Sequence, residues 1–221
     1  MEFAGKKVLV FGTGISGIAA AKLLENVGAA VILFDGNREL DKKHVLENFE
    51  ADHMPELYVG ELPEKIRAGL DLVVLSPGVP TDLPFVNELR DEGLPIWGEI
   101  ELAYRCKKGD VLAITGTNGK TTTTALLGEI MKTTYPHVHV VGNIGIPYTG
   151  LVAEDTDDTV TVAEISSFQL ETIDTFCPEK VLINEDFPLL VLPKIPICRR
   201  FPEGVSFNVT AILIPSFRCC Y

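Results

Sequence analysis

Residues 111–124 read Val-Leu-Ala-Ile-Thr-Gly-Thr-Asn-Gly-Lys-Thr-Thr-Thr-Thr, and this stretch decides the fold. Val111 to Ile114 is an apolar run short enough for a buried strand, and the residues from Lys120 onward open a helix. Between them lies a loop built on Gly116 and Gly119. Glycine lets a backbone turn its N–H groups toward one point, and a following helix aims its positive end at the same point. Strand, glycine loop and helix therefore make a cradle for phosphate. Lys120 adds a cation beside the outer phosphates, and Thr121 offers a hydroxyl to Mg²⁺. The general pattern has four residues between its glycines, which would put one at 114. Position 114 is Ile, so the loop is a shortened variant.

A second glycine loop lies near the N-terminus. Lys7–Phe11 (KVLVF) is a buried strand, Gly12-Thr13-Gly14-Ile15-Ser16-Gly17 is a turn, and Ile18 to Val27 is a helix ended by Gly28. Ala30–Phe34 (AVILF) is the next strand and closes on Asp35, eighteen residues after Gly17. Gly-x-Gly-x-x-Gly followed by such an acid fits a dinucleotide fingerprint, in which the acid meets a ribose hydroxyl. A helix N-terminus does not separate NAD from another pyrophosphate such as a UDP-sugar, so both remain open here. A non-binding turn that needs glycine only for packing is the plainer alternative.

The rest of the chain keeps the strand–helix rhythm. A polar stretch runs to about residue 55. Leu72–Leu75 is a strand ending in Ser76-Pro77-Gly78-Val79-Pro80, residues 84–92 are helical, and Pro95–Trp97 is a short strand. Residues 99–106 form a connecting helix, and Lys107 to Asp110 a turn. Then come the strand at 111, a helix over 120–132, and strands at Val138–Val141, Thr159–Ile165 and Lys180–Ile183. Near-continuous apolar strands alternating with helices imply parallel sheets covered on both faces. The expected organisation is α/β. A Rossmann-like unit spans 1–98 and a linker 99–110. A partial P-loop unit spans 111–184, and a divergent tail 185–221.

Composition narrows the function. The chain has 221 residues, 46% hydrophobic and 23% charged, with net charge −12. Such acidity argues against nucleic acid or an anionic membrane as partner. No apolar run reaches the roughly 18 residues of a membrane span. The first residues lack signal-peptide anatomy, so a cytoplasmic protein is expected. Five cysteines show no metal spacing. A Mg²⁺ site needs carboxylate oxygens, and Glu164 ends a strand beside the expected phosphate loop.

GTGISG, SPGVP, ITGTNGKTTT, GNIGIP and EISSFQLE, in that order, resemble the cytoplasmic Mur ligases over residues 1 to about 184. Within that family the motifs look most like the member that adds D-glutamate, with the L-alanine-adding member as nearest alternative. The resemblance implies an ATP-dependent, amide-forming ligase of peptidoglycan synthesis acting as a monomer on UDP-N-acetylmuramoyl-L-alanine and D-glutamate. It implies that Gly14, Ile15, Ser16, Asp35 and Gly78 hold the uridine diphosphate part, with Asn143 nearer the reacting end. Gly116, Thr117, Asn118 and Gly119 would cradle ATP with Lys120, Thr121 and Thr122. Thr121 and Glu164 would hold Mg²⁺, Lys120 and Glu164 being the catalytic pair. Ser166 and Gln169 would line the substrate side. An NAD-binding oxidoreductase, or a non-catalytic nucleotide-binding protein, stands as the other reading.

After Asn184 the pattern departs. The family continues with Asn-x-x-Pro-Asp-His-Leu-x-x-His, whose histidine binds metal, whereas this chain reads Glu185-Asp186-Phe187-Pro188. All four histidines (44, 53, 137, 139) lie earlier. The lysine that the family carbamylates has no matching context, and its C-terminal domain has no counterpart. The last 37 residues carry three acidic and four basic side chains, a net of +1, against −13 for the preceding 184. Prolines at 188, 193, 196, 202 and 215 forbid a long helix there. The expectation is a truncated chain with a rearranged end and little ligase activity.

Overall fold

The computed structural model describes residues 3–51, 53–143 and 145–184. The expectations about the tail therefore fall outside the described residues. The chain divides into two compact units, one holding residues up to Cys106 with Glu171–Asp174, the other Lys107–Leu170 and the residues from Thr175.

The first unit is built on five strands: β1 (Lys7–Phe11), β2 (Ala30–Asp35), β3 (Glu56–Val59), β4 (Leu72–Leu75) and β5 (Ile96–Gly98). They lie in the order β3-β2-β1-β4-β5, all parallel. Side chains alternate across a strand, so each strand feeds two faces. Leu9 and Phe11 join Ile32, Phe34, Val73 and Leu75 on one face, under Val86 and Leu89 of α4 (Pro84–Asp91). Val8 and Val10, equally buried, supply the other. There α1 (Ile15–Asn26) and α5 (Glu99–Cys106) pack on the sheet and on each other. The last helix is not a free connection: Ile100, Leu102 and Ala103 are fully buried in this unit.

Three rings fasten the strand ends that matter below. Phe11, Phe34 and Phe85 stack with centroids 4.8, 5.9 and 5.2 Å apart. Such pairs add about 0.5–1.5 kcal/mol each beyond their buried area. Phe11 precedes Gly12 and Phe34 precedes Asp35, so the rings anchor the base of the glycine loop and of the acid.

Two short helices, α2 (Lys42–Leu46) and α3 (Glu64–Arg67), and the strand β3 occupy a region where the pattern assigns no element. α1 starts at Ile15, three residues earlier than expected, because Gly14 already takes the N-cap position. β5 starts one residue later than expected. Pro95 has no N–H to give and contributes only its carbonyl, to Val73 N at 3.0 Å.

The second unit carries β6 (Asp110–Gly116), α6 (Lys120–Lys132), β7 (His137–Gly142), β8 (Thr159–Glu164) and β9 (Lys180–Asn184). The strand order is β7-β8-β6-β9, again parallel. Leu127 and Met131 of α6 pack on Ile114, Val160 and Val162. Leu126 and Ile130 point to solvent, 61% and 50% exposed, so the helix is apolar on both sides but buried on one. No helix among the described residues is long and apolar enough to cross a membrane.

Candidate functional site

In a parallel sheet the loops at the carboxyl ends of the strands share one edge, and ligands bind where the strand order reverses. In the first unit that reversal lies between β1 and β4. The loop Gly12–Gly17 leaves β1 and the loop Ser76–Pro80 leaves β4. Asp35, at the end of β2, stands on the other side of β1.

The glycines of the first loop divide by what demands them. Gly12 has φ 99°, and a Cβ there would lie 2.9 Å from Ser76 Cβ. A Cβ on Gly17 would lie 1.8 Å from Gly12 O. Both are required by the protein's own packing. Gly14 has φ −71°, and an added Cβ would meet nothing within 4 Å. Gly78 is equally unobstructed. Glycine at 14 and 78 is demanded by no neighbour, which leaves open space at the start of α1. Ile15 is 76% exposed there, although its side chain is apolar. No side chain caps α1, and its first turn has no acid. Its first N–H groups and its positive end face outward, the requirement for an anion.

Asp35 is not a free acid. Its Oδ2 accepts from Thr13 Oγ1 at 2.8 Å and from Thr13 N at 3.1 Å, and its Oδ1 accepts from Asn37 N at 2.9 Å. Ser76 Oγ donates to Gly12 O at 3.1 Å. Thr13 and Ser76 were missed as loop supports in the sequence. Ser76 was visible in SPGVP, but nothing in the pattern marked Thr13.

In the second unit, Gly116 (φ 138°) and Gly119 (φ 72°) turn the loop between β6 and α6. Gly119 is the N-cap of α6, again without a side-chain cap and without an acid in the first turn. Thr117 and Asn118 form the loop crest, and Thr121 and Thr122 lie in the helix's first turn. Lys120 curls back over its own loop. Its Nζ donates to Gly116 O at 2.7 Å and Thr117 O at 3.3 Å.

Glu164 pairs in register with Ile114 and lies two residues beyond Val162. Alternation puts it on the face that carries α6, at the end where that helix begins. It is 2% exposed. Its Oε1 accepts from Asn143 Nδ2 at 3.4 Å, while its Oε2 is buried without a hydrogen-bond partner among the described residues. A buried carboxylate oxygen lacking a donor is costly, and a cation is one way to satisfy it. A carboxylate, with a threonine hydroxyl in the first turn of α6 at the same end of the sheet, is the hard oxygen chemistry that Mg²⁺ takes.

Gly142 brings Asn143 to this acid. With φ 112°, it lets the end of β7 close on β8, where an added Cβ would lie 2.0 Å from Glu164 O. Asn143 N then donates to Glu164 O at 3.0 Å. Ser166 and Gln169 bond each other. Gln169 Oε1 accepts from Ser166 N at 2.9 Å and Ser166 Oγ at 3.0 Å, which braces the turn after Glu164. The structure thus gathers Gly14, Ile15, Ser16, Asp35 and Gly78 along the edge of one sheet. The residues from Gly116 to Thr122 lie with Asn143, Glu164, Ser166 and Gln169 along the edge of the other.

Comparison with known proteins agrees with this division. Residues 6–98 match the Mur ligase MurD-like N-terminal domain, and residues 114–183 match the Mur ligase middle domain. The chain is 56% identical over 179 residues to a UDP-N-acetylmuramoylalanine–D-glutamate ligase of Lachnoclostridium phytofermentans, covering 81% of this chain and 39% of that protein. It is 53% identical over 178 residues to the ligase of the same name from Lachnospira eligens, covering 80% and 39%. The chain thus spans about 39% of the length of these curated relatives. Among solved structures, a murein peptide ligase of Psychrobacter arcticus superposes with a TM-score of 0.48 at 18% identity, over 86% of this chain and 50% of that one. At that level the superposition adds nothing to the sheet orders themselves.

Proposed function

The chain belongs to the Mur ligase family, whose N-terminal and middle domains it carries, and on that premise we propose that it serves ATP-dependent amide formation on a UDP-linked precursor of peptidoglycan. The specific reading is addition of D-glutamate to UDP-N-acetylmuramoyl-L-alanine. The substrate carboxylate attacks the γ-phosphorus of ATP, the bond to ADP breaks, and an acyl phosphate forms. The D-glutamate amine attacks the acyl carbon, loses a proton, and phosphate leaves. A monomer working in the cytoplasm belongs to the same reading.

Such phosphoryl transfer asks the protein for positioning and charge neutralisation more than for covalent chemistry. In the first unit, Gly14, Ile15 and Ser16 offer the start of α1 to the diphosphate, with Asp35 and Gly78 flanking it. In the second, residues from Gly116 to Thr122 wrap the triphosphate. Lys120 exchanges two neutral carbonyl acceptors for charged phosphate oxygens, and charge-assisted bonds are the stronger kind. Glu164 and Thr121 would hold Mg²⁺, which would neutralise charge on the outer phosphates. Asn143 fixes the Glu164 carboxylate through Oε1 and leaves Oε2 for the metal, while contacting the UDP substrate. The Ser166–Gln169 brace keeps the turn beside it rigid on the substrate side.

The observation that carries this reading is the buried, unpartnered Glu164 Oε2 on the face where α6 begins. The test is calorimetric titration of the 221-residue chain with a non-hydrolysable ATP analogue, with and without Mg²⁺. Binding should require Mg²⁺ in the parent chain, lose that dependence in Glu164→Gln, and weaken in Lys120→Ala. Unaltered Mg²⁺ dependence in Glu164→Gln would sink the metal assignment. Thermal stabilisation by a UDP-sugar and not by NAD(H) separates this reading from a dehydrogenase-like one.

A further inference from the structure

We propose that Thr13 is a positioning residue for the first cradle: its hydroxyl and amide lock the Asp35 carboxylate onto the glycine loop, so the loop stands formed for a nucleoside diphosphate before one binds. The proposal rests on the diphosphate reading of that loop. Thr13 is the side chain between the two glycines Gly12 and Gly14 of the turn. Gly12 is tied from both sides, its N to Phe34 O at 2.8 Å and its O to Ser76 Oγ at 3.1 Å. Beyond Thr13 the next tie is Ile18 N to Gly14 O at 2.9 Å, which belongs to α1 itself. The link that fixes the loop crest against the sheet is therefore Thr13 to Asp35, spanning 22 residues of chain. Thr13 is 7% exposed, so water competes poorly for it.

The same link shapes what Asp35 can do. A carboxylate has about four acceptor positions. Three are filled, by Thr13 Oγ1, Thr13 N and Asn37 N. Those donors draw the negative charge toward the protein and away from a bound diphosphate. One acceptor position remains, enough for a single N–H or O–H of the ligand. A threonine hydroxyl and a backbone amide together thus convert a mobile acid into an oriented one.

Two measurements test this, on the parent chain, Thr13→Val and Thr13→Ser. The first is amide hydrogen exchange without ligand. Thr13→Val should speed exchange across residues 12–16 by about tenfold, the loss expected for one hydrogen bond to a charged group, and Thr13→Ser should match the parent. Unchanged exchange in Thr13→Val overturns the clamp, whatever the loop binds. The second is titration with UDP. The parent and Thr13→Ser should bind alike and Thr13→Val about tenfold more weakly. Equal affinity in Thr13→Val with a loosened loop refutes the positioning role. Failure of the parent chain to bind UDP refutes the diphosphate reading, and exchange still decides the clamp. A Trp97 fluorescence unfolding curve establishes that each variant is folded.

Discussion

Gly142→Ala should separate Asn143 from Glu164 without touching either side chain. The native φ of 112° is one that side-chain-bearing residues rarely adopt, and the new Cβ would stand 2.0 Å from Glu164 O and 2.9 Å from Glu164 N and C. All three atoms are backbone, so no rotamer change relieves the clash. Holding alanine at such a φ costs about 1–3 kcal/mol. Overpacking adds about 1–3 kcal/mol if the strands stay together. If instead the end of β7 swings away, which its edge position allows, the bond from Asn143 N to Glu164 O is lost, about 0.5–1.5 kcal/mol. The first route totals about 2–6 kcal/mol and the second, with the φ strain kept, about 1.5–4.5 kcal/mol, each a large share of the roughly 5–15 kcal/mol that holds a domain. The second route is the cheaper, so the native fold should survive with a displaced Asn143. Trp97 is the only tryptophan and lies in the first unit, so fluorescence does not report on β7. Amide exchange resolved by peptide is the assay. It should show lost protection at residues 141–143 and 164–166, and Mg²⁺-dependent ATP binding should weaken in parallel. Parent-like protection there, or parent-like Mg²⁺ dependence, would refute the claim that Gly142 sets the acid.

Gly17→Ala and Gly14→Ala should behave oppositely although they share one motif. The first puts a Cβ 1.8 Å from Gly12 O and should cost about 2–4 kcal/mol in a Trp97-monitored denaturation, whereas the second meets nothing, should leave stability within about 0.5 kcal/mol, and should weaken UDP binding instead. Asp155→Asn tests a buried pair in the second unit. Burial raises the Asp155 pKa, against opposing pulls from His139, Lys108 and Lys107, and His139 Nε2 lies 3.4 Å from Asp155 Oδ1. A raised pKa means the folded chain holds the proton more tightly than the unfolded one. The contribution is fully present below about pH 4, the unfolded value, and is lost as pH rises through the folded value. Asp155→Asn should therefore flatten the stability profile of the second unit from about pH 4 upward and gain most near neutrality; a neutral-pH loss larger than the loss at pH 4, read by amide exchange of β7 and β8, would mean that the ion pair outweighs its burial.

What the sequence made legible follows from burial. β1, β4, β6 and β8 are covered on both faces, so their apolar runs are continuous and stand out from the turns around them. The helix over 120–132 was legible through the strand and glycine loop before it. β3 was not: Glu56–Val59 is an edge strand whose residues are half-buried or exposed, so neither alternation nor an apolar run marks it. α2 and α3, five and four residues long, are shorter than one cycle of a readable helical pattern. The candidate site divides likewise. Glycines, Lys120 and Glu164 announce themselves by spacing along the chain. Thr13 with Asp35, and Gly142 with Glu164, matter through contacts across 22 residues each, which no local spacing encodes.

Two acids occupy equivalent places, each the last residue of a parallel strand at the edge where a glycine loop opens. Their surroundings assign them different work. Asp35 has a donor on both oxygens, two of the three donors come from the loop, and its environment is complete apart from one outward position. Glu164 is nearly inaccessible and, among the described residues, has a single weak donor on Oε1 and none on Oε2. An acid whose charge is already met by the protein organises a loop and needs no metal. An acid buried with one oxygen unmet carries a desolvation cost that a bound cation offsets. A helix start that exposes N–H groups to phosphate favours the cation, because the anion and the metal neutralise one another there. The spacing of glycines makes both sites look like the same phosphate cradle; the hydrogen bonds of the two carboxylates separate an acid held by its own loop from the one proposed to hold the metal.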